Sequence, residues 1–192
     1  MVSKKTQLDS LNIYWQKNCI CGLKKVATQA VFGSGNASSS IVFIGEAPGK
    51  KEDLEGKPFI GAAGKFLSEM LKSINKKRED IYITNIVKYR PPNNRDPKPK
   101  EIEDCAEWLN EELKIIKPKL IVLLGRHSMH RFFPKEKIGA AHGKLLIKNI
   151  DIFGEQAFLP LYHPAAALYN GGLRTTLLKD FKKIPKILEK IN

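Results

Sequence analysis

Five glycines and two prolines fall within the twenty residues Gly45–Gly64, together with Glu46, Glu52, Asp53, Glu55 and Phe59. A turn that only connects two elements needs one or two such residues. This density predicts a backbone that comes close to a ligand, with acids and an aromatic ring aimed at it. Phe59 in a glycine-rich loop can stack on an extruded base or anchor the loop. The acids leave general-base, steric and Arg-pairing roles open. Asp53 and Glu55 read as solvated, whereas Glu46 directly follows Gly45 at a strand end. Asn85 stands in the otherwise apolar run Ile81–Val87, where an amide is costly unless bonded. It suits a ligand with a donor beside an acceptor, as a pyrimidine's N3–H and O4 are. A turn-forming Asn explains it as well. His163 precedes Pro164 at another strand end, placed either to stabilise a developing anion or to cap a helix. His127, His130 and His142 lack metal-site spacing and read as surface or core residues, with His142 near a turn where it could meet DNA.

These residues need elements to position them. Apolar runs predict strands at 40–45, 81–87, 119–124 and 157–162. Helical spacing of apolar residues predicts helices at 6–17, 64–76, 102–116 and 126–132. A C-terminal helix, with Leu177 and Phe181 on its apolar face, should be split by Pro185. Residues 90–100, rich in Pro and Asn, read as a loop, and 144–153 as a hairpin through Asn149. Strands apolar throughout and alternating with helices predict an α/β fold with a parallel sheet covered on both faces. Ligands of such sheets bind outside the carboxyl ends of the strands. The segments 45–64, 85–94 and 163–170 all belong there.

The bulk properties narrow the class. A chain of 192 residues with 42% hydrophobic content suits one globular domain over 1–192. No apolar run approaches the ~20 residues of a membrane span, and the start carries no secretory h-region. Three cysteines, Cys19, Cys21 and Cys105, argue against a disulfide framework and for a reducing, cytoplasmic setting. A net charge of +13 fits either a nucleic-acid partner or a lysine-rich solvated surface. No phosphate-loop spacing is present, against a nucleotide-binding module.

Four stretches together resemble the family-4, iron–sulfur type uracil-DNA glycosylases: GEAPGKKEDLEGKPFIGAAG at 45–64, TNIVKYRPPNNRDP at 84–97, the strand 119–125, and YHPAAALYN at 162–170. The resemblance implies a three-layer uracil-DNA glycosylase-like fold with a central, mostly parallel four-stranded sheet. It implies hydrolysis of the bond between uracil and deoxyribose in single- or double-stranded DNA, by a monomer, after the base is flipped out. By motif position, Phe59 would stack on the uracil and Asn85 would read its polar edge. Glu52 would fill the space of thymine's methyl group, and His163 would bond O2. Gly45 and Glu46 would contact the base or the attacking water. Ala47 stands where another glycosylase class carries its water-activating acid, so leaving-group stabilisation would supply much of the rate. Residues 166–172 would enter the minor groove, with Leu168 or Tyr169 filling the vacated stack and Arg174 on the DNA. Broader deaminated-base specificity, or DNA binding without catalysis, are the alternatives.

The family holds a 4Fe–4S cluster through four cysteines. Aligned on Cys21-Gly22-Leu23 and Lys88-Tyr89-Arg90-Pro91, two of those positions fall on Asn18 and Tyr89; only Cys21 and Cys105 match, with Cys19 as a possible substitute. Such clusters want four thiolates, or histidine in place of some. The expectation is therefore a chain without cofactor or metal. Cys105 would be a buried thiol and Cys19 and Cys21 remnants. Trp15, Leu23, Tyr89 and Trp108 would tie the N-terminal segment to the helix after residue 100.

Overall fold

The computed structural model describes residues 2–151 and 154–191. Its frame is set by strands buried at every position: β2 (Ile41–Gly45), β3 (Tyr82–Asn85) and β4 (Leu120–Leu124). Strands of this kind have helices on both faces. With β6 (Gly154–Leu161) they pair in parallel in the order β3-β2-β4-β6, the four-stranded core expected. Two antiparallel edges extend it to six strands: β1 (Ser34–Gly35) on β3 and β5 (Leu146–Ile150) on β6. The hairpin does not turn through Asn149. That residue lies inside β5, opposite Glu155. The turn comes after Ile150, and Ile152 and Phe153 lie outside the described residues.

Alternate strand residues point to opposite layers. Val42, Ile44, Ile121 and Phe158 meet α1 (Lys4–Asn18), α4 (Pro99–Ile116) and α5 (Arg126–Phe132). Ile41, Phe43, Val122 and Leu159 meet α3 (Ala62–Lys72), α8 (Gly171–Phe181) and α9 (Ile184–Lys190). Pro185 separates α8 from α9 by occupying the first turn of the latter, where its missing N–H costs nothing. In the first layer Trp108 is fully buried. Trp15 stacks on it at 6.3 Å, Tyr89 meets it edge-on at 6.3 Å, and Leu23 lies in the same cluster. The packing expected of these residues is thus present. Among the described residues no helix is long and apolar enough to cross a membrane.

One ion pair is sealed under the sheet's functional edge. Lys88 and Glu112 have fully buried side chains in mutual contact. Lys88 Nζ also donates to Thr84 Oγ1 at 2.5 Å and to the Asn85 carbonyl at 3.1 Å. Glu112 accepts from Tyr82 Oη at 3.2 Å and Thr84 Oγ1 at 3.0 Å. Removing one partner strands the other charge in the core. Glu112→Ala is expected to lower the unfolding free energy by about 3–5 kcal/mol, measured by urea denaturation. A loss under about 1 kcal/mol would mean that water reaches Lys88.

The sheet also fixes where a ligand can sit. After β2 the chain adds β3 on one side and β4 on the other. Such a reversal opens a crevice at the carboxyl ends. Gly45 and Asn85 end their strands in register there.

Candidate active site

A side chain at position 45 would block the crevice. A Cβ on Gly45 would stand 2.4 Å from Asn85 Oδ1 and 2.5 Å from Phe59 Cζ. Glycine therefore lets an amide and an aromatic ring meet over the end of β2. Asn85 is 2% exposed, and its Oδ1 is buried without a hydrogen-bond partner. Native interiors rarely leave such an acceptor unpaired. Asn85 is also one of the residues lining a cavity.

Phe59 reaches this position through a left-handed backbone, φ 54°, which is uncommon for a bulky residue and held only when its surroundings demand it. Four hydrogen bonds and a glycine hold it. Arg78 donates to the carbonyls of Phe59 (2.9 Å) and Pro58 (2.7 Å). Glu52 Oε1 accepts from the backbone N–H groups of Ile60 (2.9 Å) and Gly61 (2.8 Å). Gly64 allows α3 to start against the turn, since a Cβ there would lie 1.7 Å from the Phe59 oxygen. The segment that reads as one loop also contains a helix, α2 (Lys50–Glu55), closed by Gly56 at φ 69°. Asp53 is not solvated, as expected, but buried. It accepts from Thr28 N (2.9 Å) and Thr28 Oγ1 (2.8 Å), pinning the N-terminal segment to α2. Glu55 is exposed, as expected.

His163 stands opposite, its ring 5.7 Å from that of Phe59. Burial pushes the imidazole down to about 4, against a smaller upward pull from Glu52. The ring is therefore neutral at physiological pH. Nδ1 accepts the Ala165 N–H at 3.1 Å. An acceptor nitrogen carries no proton, so the ring's N–H is on Nε2.

Glu46 closes the third side. Burial raises its carboxyl above the ordinary range; His127 opposes the rise, Asp96 adds to it and Arg126 opposes it. His127, which reads as a surface or core histidine, belongs to this edge. Its Nε2 is 3.2 Å from Asp96 Oδ2 and 4.0 Å from Glu46 Oε2. Ligand atoms of Glu46, Asp96 and His127 lie within 4.8 Å of one another, close enough for a metal ion. The charge there is already countered, since Arg126 contacts Asp96 at 2.5 Å. The signal that could have found His127 is its place two residues beyond Gly125, at the carboxyl end of β4. His130 bonds the Glu136 carbonyl, and His142 pairs with Asp180 at 2.6 Å.

Glu46, Glu52, Phe59, Asn85, His163 and Tyr169 line one cavity of about 400 Å³. This is room for a flipped base. A second hollow, about 480 Å³ between α1 and β1, contains no buried unpartnered side-chain polar atom among the described residues. Tyr169 is 91% exposed and Leu168 45%, both on the short helix α7 (Ala166–Tyr169). Arg174 lies outside the cavity, paired with Glu69 and stacked on Phe66 at 4.3 Å.

The cysteines gather elsewhere. Cys19 and Cys21 both approach Cys105 within hydrogen-bonding reach, and all three are buried. The bond with Cys105 lowers the Cys19 thiol to about 6 and draws Cys21 down as well, while Cys105 is pushed up by the same contacts. Tyr89 faces the trio, and its hydroxyl is buried without a partner. Asn18 turns away and caps the Tyr14 carbonyl at 2.7 Å. Cys19 thus stands with the other two thiols. Three thiols and an orphan phenol oxygen form a donor set of four, one oxygen in place of sulfur. Three of the four ligands that an iron–sulfur cluster takes are present as thiols, and the fourth position falls on Tyr89.

The sequence model of the uracil DNA glycosylase superfamily matches residues 32–190. A Type-4 uracil-DNA glycosylase from Archaeoglobus fulgidus is 47% identical over 174 residues, 88% of this chain and 87% of that protein. One from Saccharolobus solfataricus is 48% identical over 174 residues, 88% of this chain and 80% of its own length. One from Thermotoga maritima is 36% identical over 192 residues, 99% of each chain. With a matching sheet, a crevice at its switch point and these relatives along nearly its whole length, the chain belongs to the uracil DNA glycosylase superfamily, among its type-4 members.

Proposed function

We propose that this chain is a uracil-DNA glycosylase, hydrolysing the N-glycosidic bond of uracil flipped out of DNA and leaving an abasic site. The unpartnered Asn85 oxygen carries the reading. Uracil presents N3–H beside O4, so Oδ1 accepts from the first and Nδ2 donates to the second. Cytosine presents the reverse pattern and leaves both amide groups unsatisfied, a strong ground for rejection. Phe59 stacks on the base. Glu52, already fixed by two backbone N–H groups, stands where a 5-methyl group would come.

The chemistry follows from the tautomer. As the C1′–N1 bond breaks, its electron pair moves onto the base and negative charge grows at O2. The His163 Nε2–H donates to that oxygen in a site shielded from water, where a donor contributes about 10²–10³ in rate. Water adds to C1′ and gives its proton to the Glu46 carboxylate. Leu168 and Tyr169, exposed at the rim, fill the stack the base has left. The charge of +13 draws in the phosphate backbone. Arg174 supports α3 and α8 first and reaches DNA only where its pair with Glu69 opens. The chain acts as a monomer in the cytoplasm.

Cys19, Cys21, Cys105 and Tyr89 are the residues that would hold an iron–sulfur cluster. Bound there, it would brace the end of α1 and the loop after β3 against α4; no step of the hydrolysis passes through it.

An oligonucleotide with one uracil, incubated with excess protein and then treated with alkali, tests the function on a gel. Cleavage at uracil is expected and none at thymine. Intact uracil strands would remove the proposal. Breaks at hypoxanthine as well would establish the broader specificity.

A further inference from the structure

We propose that His127, held between Asp96 and Arg126, is a positioning residue that keeps Glu46 ionised and aimed into the cavity. Its consequence for turnover rests on the glycosylase reading; its geometry does not. His127 Nε2 lies 3.2 Å from Asp96 Oδ2, 4.0 Å from Glu46 Oε2 and 3.0 Å from Arg126 Nε. One nitrogen thus faces a guanidinium and two carboxylates. With a proton it donates to Asp96 and presents positive charge to Glu46. Without one it accepts from Arg126, and Glu46 then faces Asp96 with no adjacent imidazolium. With a proton on Nε2, two donors would face each other at 3.0 Å, so Arg126 must then turn to Asp96, which it already contacts through Nη2.

The neighbours on each side are accounted for. Glu46 comes from the turn after β2, Asp96 from the loop before α4, and Arg126 from the first residue of α5, the helix that carries His127 itself. His163, after β6, also senses this ring but is neutral at physiological pH. Glu46 is half-buried, and burial favours its protonated form. A protonated carboxyl cannot take the proton of the attacking water. A cation at 4.0 Å favours the charged form.

Carboxyl-carbon NMR titration of Glu46, its resonance assigned with Glu46→Gln, tests this without any substrate. In His127→Gln the Glu46 midpoint is expected to rise by about half to one pH unit. In His127→Lys, which restores a cation but not the ring, it should return to the wild-type value or below. The acid limb of single-turnover uracil release should move with it, a loss of up to about tenfold below the midpoint in His127→Gln. An unmoved midpoint in His127→Gln overturns the proposal, as does a His127→Lys midpoint displaced as far as that of Gln. Should the midpoints move as stated while wild-type protein releases no uracil, this inference stands and the glycosylase reading falls.

Discussion

His163→Ala is expected to lower single-turnover uracil excision by about 10²–10³-fold while leaving the melting temperature close to wild type. Among the described residues the ring's one hydrogen bond is accepted from its near neighbour Ala165, so little of its role is structural. The loss should fall on the chemical step and not on DNA affinity, because charge at O2 appears only as the bond breaks. The pH dependence sharpens the test. Burial holds the imidazole down to about 4, so the ratio of wild-type to variant rate should be flat from about pH 6 to pH 9. A step in that ratio near the ordinary histidine value of about 6.5 would mean that an imidazolium does the work, and the assignment of the proton to a neutral Nε2–H would be wrong. Asn85→Ala should behave differently. It removes two hydrogen bonds to the base, a loss of about tenfold to a hundredfold. Much of that should appear as weaker binding of the flipped nucleotide. If both variants excise uracil as wild type does, the cavity is not the site of chemistry.

The contrast between these residues and their supports shows what a sequence can reveal. Strands such as Leu120–Leu124, buried at every position, advertise a two-sided sheet by composition alone. Once that sheet is inferred, its carboxyl edge follows, and Glu46, Asn85 and His163 announce themselves as polar residues at the ends of apolar runs. Their supports carry no such mark. Arg78 clamps the strained Phe59 turn from 19 residues away, yet by its neighbours Glu79 and Asp80 it resembles any surface arginine. Asp53 sits among charged residues and still buries itself, because Thr28, 25 residues earlier, supplies its donors. His127 depends on a contact with Asp96 that only the fold creates. Local pattern reports burial and periodicity; it does not report which distant donor meets which acceptor. The grouping of the cysteines depends on the fold in the same way. Alignment puts one cluster position on Asn18, which carries no thiol; the end of α1 turns Asn18 outward to Tyr14 and brings Cys19, the possible substitute, inward.

That inward turn leads to the second large effect. Protein reconstituted anaerobically with iron and sulfide is expected to take up both and to gain the broad visible absorbance of an iron–sulfur cluster. Of the three buried thiols, Cys19 is lowered to about 6 and Cys21 is drawn down as well by their bonds with Cys105, and thiolate is the ligand form. The Tyr89 hydroxyl beside them has no partner. An unsatisfied buried polar group costs about 1–3 kcal/mol, a cost that a metal bond there would offset. Cys19→Ser and Cys105→Ser should each lose most of the iron, whereas Asn18→Ala should lose none, which separates the structural placement from the alignment. Tyr89→Phe removes only the oxygen donor. It should retain much of the iron through the three thiols but change the visible and paramagnetic spectra. The loaded protein should also melt higher than the metal-free form, since a cluster would join the end of α1 to α4 by bonds that thermal motion does not break. Colourless protein after reconstitution, with the same melting temperature as untreated protein, would mean that the thiols pack as small apolar groups and that Trp15 on Trp108 holds this corner alone.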